Sequence, residues 1–213
     1  MEHSLFEIRR EYARRSLSEN EVKENPIHQF KQWLEEAIEA KVPDPSAMVL
    51  STSNKENRVG SRVVLLKEIQ EEGFVFYTNY NSKKASDLKE NTQAALLFYW
   101  PELERQVRVE GFANVVSASA SDKYFASRPA ESQIGAWASE QSREIPNRQY
   151  LEEQVEKYKN EFKGREIKRP EHWGGFILKP DTLEFWQGRP SRLHDRIQYT
   201  LEEEEWKIRR LAP

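Results

Sequence analysis

The run Ala94-Ala-Leu-Leu-Phe-Tyr-Trp100 is followed by Pro101-Glu102 and then by a second run, Gln106-Val-Arg-Val-Glu-Gly111, that continues to Val116. Aromatic and β-branched residues dominate these runs, and the turn residues between them predict a β-hairpin. Apolar and polar residues alternate in the second run, so one of its faces is expected to be buried and the other exposed. The hairpin is the clearest indication of a β-rich fold.

A helix is predicted upstream of this hairpin. Asn25 can cap it, Pro26 suits its first turn, and apolar residues recur at helical spacing from Phe30 to Ile38. Similar patterns predict helices at 4–16, 82–91, 119–128 and 147–163, and strands at 48–53, 62–67, 74–78, 176–178, 183–186, 195–199 and 206–208. Strands follow one another through hairpins more often than through helical crossovers, which favours a mainly β fold, an antiparallel barrel with peripheral helices.

The composition favours one domain. With 213 residues, the chain is expected to form a single domain spanning residues 1–213. Hydrophobic residues make up only 37% and charged residues 32%, and a core this lean would gain from a subunit interface, so we expect a homo-oligomer. The longest apolar run is too short to span a bilayer and the polar N-terminus does not resemble a signal peptide, so we expect a cytoplasmic protein.

Several classes of function are disfavoured by residue content. The net charge of -3 argues against a general nucleic-acid binder, which would usually carry a basic excess. The chain has no cysteine, which excludes disulfides, thiol catalysis and zinc–thiolate sites. Its four histidines are scattered without metal-ligand spacing, so no metal is expected.

The segment Trp186-Gln-Gly-Arg-Pro-Ser-Arg-Leu-His-Asp-Arg196 runs against the acidic balance of the chain. It gathers three arginines and one histidine against a single acid, Asp195. Gly188 and Pro190 forbid a regular helix, so the segment is predicted to be a loop that leads into a strand. Guanidinium groups bind phosphate or carboxylate and stack on flat rings, which favours a pocket for a planar anion. A solvated surface loop with ordinary ion pairs is the alternative.

A second basic cluster lies at the start of the helix predicted after Ser82. Ser82 suits the N-cap, and Lys83 and Lys84 follow it in the first turn. Cations at a helix N-terminus oppose the helix dipole, but they become favourable if an anion is bound there. This arrangement favours a phosphate site, although exposed lysines are common and the penalty is small.

Two neighbouring strands carry further polar candidates. Arg62 and Lys67 bracket an apolar run, and strand alternation predicts that they face opposite sides, where either can flank a ligand. Gln106 can read the edge of a heterocycle through its amide. Charged ends of an ordinary strand, and an exposed strand face, explain the same residues without a ligand.

A third group follows on the helix predicted at 119–128. Tyr124 and Arg128 are four residues apart and share one face, and Ser132 follows just past Pro129. Together they suit a second phosphate, although Arg128 can also serve simply as a favourable charge at a helix C-terminus. No nucleophile–base triad, carboxylate pair or nucleotide-binding fingerprint is evident. Basic and aromatic groups without an acid–base apparatus are typical of an enzyme whose reactivity resides in an organic cofactor.

Taken in order, the motifs of the chain resemble those of the pyridoxine (pyridoxamine) 5′-phosphate oxidase family. The resemblance extends over nearly the whole chain, and several motifs in order are far more specific than any one of them. The motifs are Arg62-Val-Val-Leu-Leu-Lys67, Phe76-Tyr-Thr-Asn79, Ser82-Lys-Lys84, Glu104-Arg-Gln-Val107, Ser127-Arg-Pro129, Ser132-Gln-Ile-Gly-Ala-Trp137, Phe185-Trp-Gln-Gly188, Arg192-Leu-His-Asp-Arg196 and Arg210-Leu-Ala-Pro213.

This resemblance implies a split β-barrel of the FMN-binding type that works as a homodimer, with FMN at the subunit interface. The implied activity is an oxidase acting on CH–NH2 and CH–OH donors: it converts pyridoxine 5′-phosphate or pyridoxamine 5′-phosphate to pyridoxal 5′-phosphate, and O2 is reduced to H2O2. A hydride would leave C4′ of the substrate for N5 of FMN, and correct placement of these two atoms would carry much of the rate.

The resemblance also implies roles for individual residues. FMN would contact Arg62, Val63, Leu65, Lys67, Tyr77, Thr78, Lys83, Lys84, Gln106, Gln141, Ser142, Trp186 and Arg196. The substrate phosphate would contact Lys67, Tyr124, Arg128 and Ser132, while the catalytic pair Arg192 and His194 would close over the pyridine ring. Arg9 and Tyr12, in an N-terminal segment spanning residues 1–20, resemble a cover for the site. Many relatives have arginine at the position of Lys83. Lysine keeps the positive charge but cannot donate two parallel hydrogen bonds as a guanidinium does, so FMN is expected to bind less tightly.

Three alternative functions remain open at the level of sequence. One is a flavin-binding barrel that acts on another substrate, which the match on the substrate side disfavours. Another is a non-enzymatic module that binds pyridoxal phosphate or flavin, which turnover with H2O2 release would exclude. A nucleic-acid-binding barrel is the third, and it predicts salt-dependent affinity for oligonucleotides.

Overall fold

The structure of the protein is a computed structural model, and it describes residues 15–213. Within these residues there are five α-helices: α1 (Pro26–Glu39), α2 (Lys83–Glu90), α3 (Ala118–Ser127), α4 (Ala130–Ala138) and α5 (Arg148–Glu161). The same residues form nine strands: β1 (Ala47–Ser53), β2 (Val59–Leu65), β3 (Glu68–Gln70), β4 (Gly73–Asn79), β5 (Gln93–Trp100), β6 (Arg105–Val115), β7 (Trp173–Gln187), β8 (Asp195–Glu202) and β9 (Glu205–Leu211). The mainly β fold with helices is confirmed.

The nine strands form one sheet in the order β2-β1-β5-β6-β7-β4-β3, and β8 pairs with β7 and β9. The predicted hairpin is present as β5 and β6, and the burial of β6 alternates as its sequence indicates. Antiparallel ladders pair β4 with the first part of β7, from Asn79 opposite Trp173 to Phe74 opposite Leu178. None of the helices described at residues 15–213 is long and apolar enough to cross a membrane.

Contacts divide the chain into two compact units. The described part of the first unit covers residues 15–49, 95–110 and 180–213, and the second unit covers residues 50–94 and 111–179. The single domain expected from the sequence stays a prediction.

The first unit has an aromatic core beneath α1. Asn25 caps this helix as predicted, because its Oδ1 accepts a hydrogen bond from the Ile27 backbone N–H at 2.8 Å. The ring of Phe30 lies 4.7 Å from that of Phe98, and Trp33 meets Phe185 edge-on at 5.2 Å. Such pairs stabilise the core beyond the area they bury.

A network at the same helix includes a buried cation. Nη1 of Arg105 donates to Glu36 at 2.8 Å, and its Nε donates to Gln187 at 2.9 Å. The guanidinium carbon of Arg105 lies 4.1 Å from the ring centroid of Trp33. Gln187 also donates to the carbonyl groups of Leu103 and Glu104, so the end of β7 is fixed to the start of β6.

The predictions for two short strands at 176–178 and 183–186 are wrong, because β7 runs unbroken from Trp173 to Gln187. In the sequence, Pro180 separates the two predicted strands. It lies between the ladder with β4, which ends at Leu178, and the ladder with β8, which begins at Thr182. A proline has no backbone N–H to donate, and position 180 belongs neither to the ladder with β4 nor to that with β8.

Other element boundaries also differ from the predictions. The sequence reading missed α4, because Pro129 and Gly135 resemble loop residues; in the structure Pro129 is the N-cap. It also missed the three-residue β3. The predicted helix at 4–16 lies outside the described residues except for its last two positions, which are not helical.

Candidate functional site

A cavity of about 710 Å³ lies in the second unit. Residues of β2, β4, α2, α3 and α4 and of the segment after α4 form its walls. Many of the residues predicted to bind a cofactor or substrate line it: Arg62, Val63, Leu65, Lys67, Tyr77, Thr78, Lys83, Lys84, Tyr124, Arg128, Ser132, Gln141 and Ser142. The structure therefore brings together groups that are up to 80 positions apart in the sequence.

Charge in this cavity has one sign. Five cationic residues line it: Arg62, Lys67, Lys83, Lys84 and Arg128. No Asp or Glu of residues 15–213 is among the lining residues. Since like charges gathered in a concave site repel one another and attract anions, this cavity is suited to anionic ligands.

Arg62 and Lys67 both line the cavity, although strand alternation predicted that they face opposite sides. The alternation does not extend to Lys67, because β2 ends at Leu65. The Arg62 guanidinium donates to Oγ1 of Thr52 at 2.8 Å and to the carbonyl of Leu50 at 3.1 Å, which fixes its position. Burial lowers the pKa of Arg62, and the charge of Asp87 opposes this shift.

Lys84 is the most deeply buried of the lysines in this cavity. Its Nζ donates to Thr78 Oγ1 at 3.1 Å, to Gln141 Oε1 at 3.2 Å and to Ser82 Oγ at 3.3 Å. All three acceptors are neutral oxygens. Burial, with the charge of Arg62 added, lowers the pKa of Lys84. A buried ammonium is unfavourable without a counter-charge, and an anion in the cavity would supply one.

The neighbouring Lys83 has a different environment. Ser82 is the N-cap of α2 as predicted, but its side chain makes no capping hydrogen bond. The ammonium of Lys83 forms an ion pair with Asp87 one turn along the helix. Asp87 is buried, and burial alone would raise the pKa of its carboxyl. Hydrogen bonds from Lys83 and Thr52 outweigh burial and lower this pKa. Part of the Lys83 charge is therefore offset within the protein.

Three aromatic rings form one wall. The ring of Tyr77 stacks on that of Tyr124 at 4.0 Å and 18°, and on that of Trp173 at 5.5 Å and 10°. The guanidinium carbon of Arg128 lies 4.6 Å from the ring centroid of Trp173. Nη1 of Arg128 is buried and has no hydrogen-bond partner among the described residues. Burial lowers the pKa of Arg128, with Tyr124 opposing the shift. A ligand oxygen in the cavity would satisfy this donor.

The turn between α3 and α4 holds the phosphate candidates in place. Arg128 is the C-cap of α3, and Ser132 lies in the first turn of α4. The side-chain amide of Gln133 donates to the carbonyl of Arg128 at 2.9 Å and to that of Phe125 at 3.2 Å. These bonds fix the backbone from which Arg128 reaches into the cavity.

Other predicted site residues belong to the first unit and do not line this cavity: Gln106, Trp186, Arg192, His194 and Arg196. As predicted, residues 188–194 form a loop, with a 3-10 turn at Pro190–Arg192, and β8 follows. Arg9 and Tyr12 lie outside the described residues.

His194 is the titratable group of that loop. Its ring lies 4.5 Å from that of Trp186, and its Nδ1 accepts a hydrogen bond from the Arg189 backbone N–H at 3.1 Å. Because Nδ1 accepts this bond, the neutral ring carries its proton on Nε2. Burial lowers the pKa of His194 and the charge of Arg192 lowers it further, while Asp195 opposes the shift.

Arg196 is held by a bidentate ion pair. Its Nε donates to Glu184 Oε1 at 3.0 Å and its Nη2 donates to Glu184 Oε2 at 2.9 Å. These hydrogen bonds raise the pKa of Arg196. The pairing presents the guanidinium in one orientation from β8, next to Trp186 on the paired strand.

Six lining residues were missed by sequence reasoning: Val64, Asn79, Gly135, Ala136, Ser139 and Trp173. Val64 and Asn79 are sequence neighbours of predicted site residues, so the strand pattern could have identified them as candidates. Gly135 and Ala136 required the helix α4, which was not predicted. Trp173 offered only the signal of a large aromatic before two glycines.

The fold and this cavity define a class: a split β-barrel of the FMN-binding type. Residues 34–161 match the family model described as pyridoxamine 5′-phosphate oxidase, and residues 173–213 match the pyridoxine 5′-phosphate oxidase C-terminal dimerisation region. The chain therefore belongs to the pyridoxamine 5′-phosphate oxidase family, whose members are oxidoreductases.

Curated relatives agree with this assignment along the whole chain. A pyridoxine/pyridoxamine 5′-phosphate oxidase of a Cyanothece species is 50% identical over 210 residues, which is 99% of each chain. The protein of the same name from Polynucleobacter asymbioticus is 52% identical, again over 99% of each chain.

Solved structures show the same fold. PhzG from Burkholderia lata, in complex with tetrahydrophenazine-1-carboxylic acid, superposes with a TM-score of 0.87 at 31% identity and covers 91% of this chain and 95% of its own. A pyridoxamine 5′-phosphate oxidase-related, FMN binding protein from Nostoc punctiforme gives a TM-score of 0.69 at 15% identity, covering 86% of this chain and 97% of its own. The second likeness concerns the fold alone.

Proposed function

We propose that the protein is an FMN-dependent oxidase that converts pyridoxine 5′-phosphate or pyridoxamine 5′-phosphate to pyridoxal 5′-phosphate and reduces O2 to H2O2. The observation that carries this proposal is the charge of the cavity, which has five cationic residues and no lining carboxylate among residues 15–213. Lys84 is buried and donates only to neutral oxygens, and the half-buried Arg128 has a buried Nη1 without a hydrogen-bond partner among the described residues. Two phosphate groups, one from the cofactor and one from the substrate, would supply the missing negative charge.

The two phosphates are assigned to different parts of the cavity. The start of α2, with Lys83 and Lys84, suits the FMN phosphate, because free backbone N–H groups at a helix N-terminus add to the two ammonium groups. The turn between α3 and α4, with Arg128 and Ser132, suits the substrate phosphate. Tyr124 and Lys67 line the same cavity and complete that second group.

When bound, FMN supplies a two-electron acceptor that O2 reoxidises with release of H2O2. The residues of the chain bind and orient the reactants. Arg192 and His194 are proposed to hold the pyridine ring of the substrate and to tune its charge, with His194 neutral at neutral pH. In the oxidation of pyridoxamine 5′-phosphate, water is taken up and ammonia is released, so that both substrates yield the same aldehyde.

A homodimer is part of this proposal. The C-terminal dimerisation region matched at residues 173–213 supports it. This region contains Trp186 and Arg196, which are predicted to contact FMN but do not line the cavity of the second unit. We place FMN at the subunit interface, where these residues and Gln106 of one protomer contribute to the flavin site of the other.

The test is a spectrum followed by an assay. Purified protein should be yellow and should release FMN, not FAD, on denaturation. With pyridoxine 5′-phosphate in air it should form pyridoxal 5′-phosphate and H2O2 in equal amounts. A protein that takes up no FMN would overturn the cofactor assignment, and a flavoprotein that leaves both phosphorylated vitamers unchanged would overturn the reaction.

The likeness to PhzG supports a second candidate, an oxidase for a tricyclic carboxylate. The stacked wall of Tyr77, Tyr124 and Trp173 is compatible with a flat polycyclic ligand. Arg128 and Ser132 favour the phosphorylated substrate, since a phosphate dianion gains more than a carboxylate from clustered donors. Oxidation of tetrahydrophenazine-1-carboxylic acid at a higher kcat/KM than pyridoxine 5′-phosphate would establish the second candidate.

A further inference from the structure

At some glycines of the second unit, a side chain would clash with the surrounding protein. Gly73 has a φ of +158°, and a Cβ there would lie 2.1 Å from the carbonyl oxygen of Leu178. A Cβ on Gly174 would lie 2.2 Å from the hydroxyl of Tyr80. In both cases the surrounding protein excludes a side chain.

At Gly135 the surrounding protein does not exclude a side chain. It lies inside α4, its backbone is helical, and a Cβ built on it would meet no atom within 4 Å. Glycine inside a helix is less stable than alanine by roughly 0.5–1 kcal/mol, because it loses more conformational freedom on folding. The stability of the helix would therefore favour alanine at this position, and neither packing nor backbone geometry prevents it.

The open space beside Gly135 belongs to the cavity. Gly135 lines the cavity together with Ser132, which lies three residues earlier and therefore on the same face of the helix. Ala136, the next lining residue, is also small, whereas Ile134 on the other side of Gly135 is buried in the protein. The face that α4 turns toward the ligand space is thus kept free of bulky side chains beside the proposed phosphate ligands.

We propose that Gly135 is a specificity-determining residue: by lacking a side chain, it leaves the room in which the phosphorylated substrate packs against α4 next to Ser132. This inference rests on the proposed function. It assigns the space beside Gly135 to the substrate and not to the flavin, because the neighbouring lining residues Ser132 and Arg128 are the substrate-phosphate candidates. A methyl group at position 135 would then occupy volume that the bound substrate needs.

The experiment compares Gly135→Ala with the wild type in four measurements: three on the flavin-loaded protein and one, the titration of FMN, on the flavin-free protein. The KM for pyridoxine 5′-phosphate and the Kd for pyridoxal 5′-phosphate should both rise, by about tenfold, as overpacking of a closely fitted site does. The Kd for FMN should stay within about twofold, and the melting temperature should stay equal or rise. Gly135→Ser should show the same pattern with a larger loss of affinity, since its side chain is larger.

Asn160→Ala is the matched control, because it also improves helix propensity, in the exposed helix α5, and Asn160 does not line the cavity. It should leave both substrate constants unchanged. Unchanged KM and Kd in Gly135→Ala would overturn the proposal, and so would a loss of FMN affinity without a loss of substrate affinity, or a lower melting temperature. A wild-type protein that neither turns over nor binds these compounds would instead refute the proposed function.

Discussion

Nζ of Lys84 and Oε1 of Gln141 lie 3.2 Å apart, and their hydrogen bond joins the start of α2 to the segment that follows α4. The bond crosses 57 positions of sequence and brings a buried cation and a neutral amide to the same wall of the cavity. Because its acceptors are neutral, Lys84 is stabilised less than an ion pair would stabilise it. Its position is explained by ligand binding better than by stability.

Lys84→Met should separate binding from stability. The change removes a buried charge and keeps a side chain of similar length, so the melting temperature of the flavin-free protein should be equal or higher. The affinity for FMN should fall by about 10- to 100-fold, as loss of a charge-assisted hydrogen bond costs about 1.5–3 kcal/mol. Fluorescence titration of FMN measures the affinity.

Lys89→Met is the control for that experiment, because Lys89 lies on the same helix, is exposed and does not line the cavity. It should leave FMN affinity unchanged. Equal FMN affinity in Lys84→Met and the wild type would count against a phosphate at the start of α2.

Arg128→Lys tests the substrate side. Lysine keeps the charge but loses the planar group that lies over the ring of Trp173 and the fork that can hold two phosphate oxygens. The KM for pyridoxine 5′-phosphate should rise by about tenfold or more, while FMN affinity stays unchanged. Steady-state kinetics at saturating FMN measures the effect. A KM equal to that of the wild type would remove Arg128 from the substrate site.

Local patterns in the sequence were sufficient for most elements of the fold. The cap at Asn25, the hairpin of β5 and β6, and the helices α3 and α5 follow from residues close together in the chain. Predictions of secondary structure were wrong where the conformation of a residue depends on contacts with residues distant in the sequence. Pro180 lies inside the continuous strand β7, at a position between the end of the ladder with β4 and the start of the ladder with β8.

The same limit applies to the candidate site. Arg62, Lys84 and Arg128 were each ambiguous when taken alone, because exposed cations are common. Only the structure shows that they line one cavity without a carboxylate from the described residues. Trp173 gave no local signal of ligand binding, since its proximity to Arg128 depends on the packing of β7. Gly135 is close to Ser132 in the chain, but its place beside the cavity depends on the helix α4, which was not predicted. The binding roles of all these residues stay predictions.

The acid limb of the pH profile should report on His194. Its pKa is lowered by burial and by the charge of Arg192, so the neutral form, with Nδ1 accepting from the Arg189 N–H, persists below the ordinary value near 6.5. If the neutral ring is the active form, kcat/KM should be flat through neutral pH and should fall only at a pH below 6.5. His194→Gln should lose activity and abolish this limb. An acid limb above 6.5 that persists in His194→Gln would contradict the assignment.

Glu36→Gln should destabilise the first unit and should change its response to acid. Glu36 accepts from the buried Arg105, and removal of its charge leaves that guanidinium without its counter-charge, at a cost of about 1.5–3 kcal/mol. Burial alone would raise the pKa of Glu36, but hydrogen bonds from Arg105 and Gln32 outweigh burial and lower it. The unfolded chain therefore binds this proton more readily, and the stabilisation is present above about pH 4.5 and lost as the pH falls through the lowered pKa.

Urea unfolding between pH 3 and pH 7 measures this effect, and the wild-type advantage over Glu36→Gln should shrink as the pH falls below 4.5. Glu152→Gln is the control, because its ion pair with Arg148 on α5 is exposed and should contribute about 0–1 kcal/mol. Similar losses in the two variants at neutral pH would show that burial of Arg105 does not strengthen its pairing with Glu36. A larger loss in Glu36→Gln that is independent of pH would assign the effect to packing and not to charge.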